Sequence, residues 1–213
     1  MRAETSNVHR VEHPLLEAKL ATLRARETTT AEFRRNLQEL SQLLLTEASR
    51  AWPTREVAID TPLQPCTGAT LAKPVVLVPI LRAGLGMSDG MLRIMPDAQV
   101  GLLGLYRDEA TLRPVTYYSR LPRNIADAQV LLLDPMLATG HSACEAVAIL
   151  KHAGVRDVQF VCVVACPDGI AQLQNQHPDV PIVTAAIDPE LNQVGYIVPG
   201  LGDAGDRYFG TGA

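Results

Sequence analysis

Lysine is nearly missing from this chain, with three residues against sixteen arginines. Guanidinium groups make fixed, forked contacts with phosphate, so the bias suits an anionic ligand, and it is equally what a particular genome composition produces. Positive charge is not in surplus either. A net charge of −4 and a pI near 5.7 give no whole-molecule attraction to nucleic acid or to an anionic membrane. Cysteine is sparse: Cys66, Cys144, Cys162 and Cys166 contain no C-x-x-C pair and no metal-ligand spacing. Cys162 and Cys166 lie in or beside the apolar run at 160–165, which predicts buried thiols and fits a reducing cytoplasm. No apolar run approaches the length of a membrane span, and residues 1–13 are polar without a signal-peptide core. A cytoplasmic location is therefore expected. Internal repeats and low-complexity tracts are also lacking.

What is present fits one α/β domain over residues 1–213, 47% of them hydrophobic and so able to bury a sizeable core. The stretch Val130-Leu131-Leu132-Leu133-Asp134-Pro135-Met136-Leu137-Ala138-Thr139-Gly140-His141-Ser142-Ala143 organises it. An apolar run stops at an acid, a Thr-Gly-His-Ser turn follows, and Ala143, Ala146, Val147 and Leu150 then share one helical face. Such a strand–loop–helix unit converges loop N–H groups at a helix N-terminus, which suits a phosphate. Asp134 falls at the carboxyl end of the strand, where open parallel sheets bind ligands. Taken alone, the same residues also describe an ordinary βα turn with Ser or Thr capping the helix.

Residues 1–12 read as loosely held. Pro14 opens a helix with Leu15, Leu16, Leu20 and Leu23 at helical spacing. Thr29 and Glu32 form a capping box ahead of a longer helix striped by Phe33, Leu37, Leu40, Leu44 and Ala48. Short β-like pieces and turns fill 55–71. Residues 75–79 form a continuous apolar run fit for a buried parallel strand, followed by Arg82, Gly84 and Gly86, a second candidate anion loop or simply a tight turn with a solvated Arg. After a strand at 99–106, the charged span 107–114 and the β-prone 115–118 predict a projecting hairpin flap, which could also be an oligomer contact. A strand at 158–165, a short helix at 168–176 and a strand at 182–187 complete a βαβα order, hence a twisted, mostly parallel sheet flanked by helices. The tail holds five glycines in sixteen residues, from Gly195 to Gly210, with apolar and aromatic anchors. It reads as an ordered loop presenting main chain to a ligand.

Residues 134–142 resemble the phosphoribosyl-pyrophosphate (PRPP) motif of type I phosphoribosyltransferases. The form DPMLATG, with PILRAGLGM before it and GYIVPGLGDAGDRYFGT at the end, is similar to the uracil phosphoribosyltransferase family from about residue 8 onward. The resemblance implies the type I phosphoribosyltransferase fold, with a hood built from the N- and C-terminal segments and a hairpin flap over 107–118. It implies the reaction uracil + PRPP → UMP + pyrophosphate, with Mg²⁺, in pyrimidine salvage. By the same resemblance Asp134 takes the ribose hydroxyls, the loop of Thr139, Gly140, His141 and Ser142 holds the 5′-phosphate, and Pro135, Met136, Leu137 and Ala138 also belong to the PRPP-binding motif. Arg82 receives pyrophosphate, and Arg107 is a second PRPP-contacting arginine. Ile197, Gly202, Asp203 and Ala204 resemble the uracil-binding segment at 190–213, with Asp203 also reaching PRPP and standing as a candidate base for uracil N1. No side-chain metal cluster is implied, since Mg²⁺ keeps several waters and would ride on PRPP oxygens.

Pro135 stands where the broader class carries a second acid, and the uracil branch shares it. His141 stands where that branch has Gly. Some relatives are activated by a purine nucleotide such as GTP, and the family implies a homo-oligomer, at least a dimer. The rival readings are a regulatory RNA-binding protein or a non-catalytic homologue on the same fold.

Overall fold

The computed structural model describes residues 7–107 and 114–212. Its centre is a sheet ordered β1-β11-β10-β8-β4-β6-β7, parallel except at its last pair. In chain order the elements begin with β1 (Val8–Arg10), α1 (Pro14–Arg24), α2 (Thr30–Ala48), and the hairpin β2 (Thr54–Asp60) and β3 (Pro65–Leu71). Next come β4 (Val75–Leu81), α3 (Leu85–Leu92), the short β5 (Gln99–Val100), β6 (Leu102–Arg107) and β7 (Pro114–Arg120). Then follow β8 (Gln129–Leu133), β9 (Met136–Leu137), α4 (His141–His152), β10 (Asp157–Ala165), α5 (Pro167–Gln176) and β11 (Ile182–Ile187). The tail contributes β12 (Glu190–Leu191), β13 (Ile197–Val198) and α6 (Ala204–Phe209).

The apolar runs are continuous because the central strands are covered on both faces. Val75, Leu77, Leu131, Leu133, Val161 and Val163 pack toward α1, α2 and α3. The alternate residues Val76, Val78, Val130, Leu132 and Phe160 pack toward α4 and Leu173 of α5. The expected capping box closes the start of α2: Glu32 N–H donates to Thr29 Oγ1 at 3.3 Å, and Thr29 N–H donates to Glu32 Oε2 at 3.0 Å.

From β4 the chain winds through α3 to β6 on one side, whereas from β8 it winds through α4 to β10 and β11 on the other. The reversal opens a crevice between the carboxyl ends of β4 and β8, the usual ligand position in such sheets. Arg82 and Asp134 follow those two strands.

Three expectations meet a different outcome or fall outside the described residues. Within 1–12, Val8–Arg10 are not loose: they add a parallel edge strand to β11, held by main-chain bonds that leave most side chains exposed. The flap is the antiparallel β6–β7 hairpin, but its tip at 108–113 and the side chain of Arg107 lie outside the described residues. Residues 54–71 form one continuous arm, β2 paired with β3 through seven registers.

Candidate active site

After β8 the chain passes Asp134 and is pinned against β10, where Val163 and Val164 N–H both donate to the carbonyl of Pro135 at 3.0 Å. Residues 136–137 form β9 beside Val164 and Ala165. The loop then turns at Gly140, whose φ of +80° is the left-handed conformation that glycine adopts without cost. Gly140 is the N-cap of α4 and offers no side-chain cap to the first-turn N–H groups. Those donors border a cup of about 80 Å³ formed by Asp134, Thr139, Ser142 and the main chain between. Its shape and its partial positive charge suit a phosphate. His141 is exposed at the first turn and does not line the cup. Leu137 is buried in the core.

The loop is supported from behind by a contact that the sequence reading missed. A Cβ on Gly169 of α5 would lie 2.4 Å from the Ala138 carbonyl oxygen, and one on Gly140 would lie 2.8 Å from the Gly169 carbonyl oxygen. The helix backbone is thus laid directly on the loop. A glycine inside an otherwise helical pattern was the available signal.

Asp134 is half-buried, and its carboxyl is pushed up to about 7. Desolvation is the main cause, partly offset by the Met136 N–H donated to Oδ1 at 3.2 Å and reinforced by the Asp203 carboxylate. Asp203 itself is exposed, caps α6 by accepting from Asp206 N–H at 2.8 Å, and stands 3.4 Å from the Tyr196 hydroxyl. That neighbouring charge raises the Tyr196 hydroxyl above its usual value.

Asp203, Tyr196, Ile197, Gly202 and Ala204 line a second cleft of about 350 Å³, with Ala83 opposite them. The cleft and the cup share Met136 and Ala138, so they adjoin. The candidate PRPP and uracil residues of two distant segments are therefore brought to one place.

Arg82 sits at the rim. Its guanidinium pairs with Asp206 at 3.1 Å and lies 5.6 Å from the Phe209 ring centroid. The peptide joining Leu81 to Arg82 is cis. A Cβ on Gly84 would lie 2.4 Å from the Leu133 carbonyl oxygen, so only glycine lets this loop close against the end of β8. Asp206 was not foreseen as a partner, because nothing in the local sequence links it to Arg82.

The hood is tied by two arginines. Arg24 forks onto Asp188 at 2.6 and 2.7 Å and also donates to the Gly200 carbonyl at 2.8 Å. Burial works to raise the Asp188 carboxyl, but the Arg24 fork and the Gly200 N–H outweigh it and hold it low. Arg207 donates to the Leu23, Ala25 and Leu201 carbonyls and lies 4.6 Å from the Phe33 ring centroid. Among the described residues no group of three or more His, Cys, Asp or Glu side chains is placed to hold a metal ion.

A parallel sheet that reverses between an acid-tipped strand and an arginine loop, with an uncapped helix start beside them, defines the class: a type I phosphoribosyltransferase. The adenine phosphoribosyl transferase of Trypanosoma brucei, solved with AMP, pyrophosphate and ribose-5-phosphate, shares the fold, with a TM-score of 0.58 at 11% identity over 86% of this chain and 85% of that one. The AQ2163 protein of Aquifex aeolicus is far closer, with a TM-score of 0.91 at 37% identity over 95% and 97% of the two chains. Residues 10–211 match the family model of uracil phosphoribosyltransferase. Uracil phosphoribosyltransferases of Dictyoglomus turgidum and of Acidovorax are 55% and 54% identical to it, covering 94% and 97% of this chain and 98% and 99% of theirs. The chain belongs to the uracil phosphoribosyltransferase family.

Proposed function

We infer that the protein transfers the 5-phosphoribosyl group of PRPP to uracil, giving UMP and pyrophosphate, in pyrimidine salvage. The observation that carries this reading is the adjoining pair of sites: a phosphate-sized cup and a larger cleft that share Met136 and Ala138. A nucleotide needs that order, with its phosphate in the cup, its base in the cleft and its ribose between them beside Asp134.

In this reading the main chain and hydroxyls of the loop from Thr139 to Ser142 hold the 5′-phosphate, and the Asp134 carboxylate accepts from the ribose hydroxyls. Breaking the C1–O bond develops oxocarbenium character on the sugar, as at other glycosidic centres. The departing pyrophosphate gains negative charge that Arg82 and Arg107 stabilise, which is electrostatic catalysis with no covalent intermediate required. Uracil N1 then bonds to C1 as its proton leaves, and the candidate to receive that proton is Asp203, which lines the cleft. Gly202, Ala204 and Ile197 read the base through main-chain groups.

The carboxylates of Asp134 and Asp203 are hard oxygen donors on the cup and the cleft, which suits Mg²⁺ carried in largely by PRPP and water. The ion would spread the charge of the leaving group. The β2–β3 arm supports a homo-oligomer: it is almost wholly exposed, with Leu63 at its tip 95% accessible and Ile59 44%. No helix among the described residues is long and apolar enough to cross a membrane. With Cys144, Cys162 and Cys166 buried as free thiols, this agrees with a cytoplasmic enzyme.

The test is conversion of radiolabelled uracil to UMP in the presence of PRPP and Mg²⁺. Absence of UMP, with PRPP consumed by another base, would replace uracil in this reading.

A further inference from the structure

We propose that Arg24, Asp188 and Arg207, none of which lines the cleft, orient successive peptide groups of the tail and thereby set which base the cleft accepts. The proposal rests on the reading of residues 196–205 as the base-binding segment. It assigns positioning residues to that segment.

A peptide group is planar and, when trans, points its C=O and the following N–H in opposite directions. Fixing one therefore aims the other. The Gly200 carbonyl is held by Arg24 at 2.8 Å, which turns the Leu201 N–H the opposite way. The Leu201 carbonyl is held by Arg207 at 2.7 Å, which turns the Gly202 N–H away from the arginine, and Gly202 lines the cleft. The peptide before them is fixed at its other end, because Gly200 N–H donates to Asp188 Oδ2 at 2.8 Å. Three consecutive peptide groups are thus gripped by side chains alone, from the side of the hood.

The grip is built to resist rotation. Asp188 is 5% exposed, and both of its oxygens are engaged by the Arg24 fork. Separating this pair would leave a charge enclosed without its partner, which is costly. Arg207 is anchored by carbonyls at the end of α1 and just beyond it, so it cannot follow if the tail turns. Gly200 has φ +59°, and a Cβ there would lie 2.1 Å from the Ile197 carbonyl oxygen, so the turn has a single tight form. Base discrimination through main-chain groups needs such immobility, since a peptide free to flip would exchange donor for acceptor and accept either polarity of base edge.

The experiment compares wild type with Arg24→Lys, Asp188→Asn and Arg207→Lys. Lysine keeps the charge but cannot bond several carbonyl and carboxylate oxygens through a planar fork. We expect the uracil KM to rise at least tenfold while the PRPP KM stays within about twofold, and the uracil-to-cytosine ratio of kcat/KM to fall at least tenfold. Equal rises in both KM values, or an unchanged base ratio, would overturn the proposal and leave these residues as structural ties. If Asp188→Asn does not fold, Arg24→Lys, which keeps the buried charge, decides the question. Failure of wild type to form UMP would instead overturn the functional reading itself.

Discussion

Arg82 and Asp206 form an ion pair 3.1 Å long across the rim of the cleft, joining residues 124 positions apart. If Arg82 receives pyrophosphate, as proposed, the leaving group competes with this carboxylate for the guanidinium. The pair is substantially exposed on both sides, so solvent screening leaves it weak. Asp206→Asn should therefore lower the PRPP KM by roughly two- to fivefold and leave the uracil KM unchanged. Steady-state kinetics in both substrates check this, and a raised PRPP KM would show that Asp206 helps to place Arg82 instead of withholding it.

Asp134 sets function against stability. Its carboxyl lies near 7 when folded, well above an ordinary Asp, so between about pH 4 and pH 7 the folded state binds the proton more tightly than the unfolded chain does. Stability from this residue is thus lost as pH rises through that window. Asp134→Asn should be the more thermostable protein at pH 8, with the gap closing toward pH 4. If Asp134 accepts the two ribose hydroxyls, as proposed, catalysis should go the other way, because the carboxylate is replaced by an amide, a loss of roughly 1.5–3 kcal/mol in kcat/KM for PRPP. In wild type that parameter should rise with pH through about 7 as the carboxylate forms. Thermal melts at several pH values and PRPP kinetics test both halves, and identical melts at pH 8 would show that the charged carboxylate carries no desolvation penalty.

Much of this arrangement was legible in the residues. The apolar runs of β4 and β8 end at Arg82 and Asp134, and parallel topology brings such ends together. The Thr29–Glu32 box and the stripe from Phe33 to Ala48 are local signals that the packing keeps. The arm at 54–71 was not legible as one hairpin because nearly every side chain on both faces is exposed, so there is no alternation to read. The ties of Arg24 to Asp188 and of Arg82 to Asp206 join residues far apart in sequence, and no periodicity encodes a long-range side-chain pair. Gly169 gives little signal of its own, since its role is the absence of a side chain beside the Ala138 carbonyl.

Gly140→Ala tests the cup. The new Cβ would need a left-handed backbone and would meet the Gly169 carbonyl oxygen at 2.8 Å and Gln172 Cβ at 2.9 Å. The conformation alone costs about 1–2 kcal/mol. The PRPP KM should rise about tenfold or more, by the same arithmetic, while uracil affinity changes little. If PRPP kinetics are unaltered, the 5′-phosphate is not held by this loop.

Uracil presents O4 as an acceptor and N3–H as a donor, whereas cytosine presents the reverse pair along the same edge. The cleft residues Gly202, Ala204 and Ile197 have no polar side-chain atoms, so main-chain N–H and C=O groups are what they can offer. A main-chain group held as those at 200–202 are does not swap donor for acceptor as an Asn or Gln amide does by flipping. Cytosine would leave two polar groups of the cleft facing like partners, each at about 1–3 kcal/mol. Together these amount to roughly 10²–10⁴-fold in kcat/KM, within the range that hydrogen-bonding sites reach against a mismatched substrate. The 5-position lies off that edge, so fluorine there leaves the recognition pattern intact, and 5-fluorouracil should be converted at a rate comparable with uracil. The measurement is kcat/KM for the three bases at saturating PRPP. Cytosine turnover within tenfold of uracil would mean that mobile side chains such as Tyr196, not the fixed main chain, select the base.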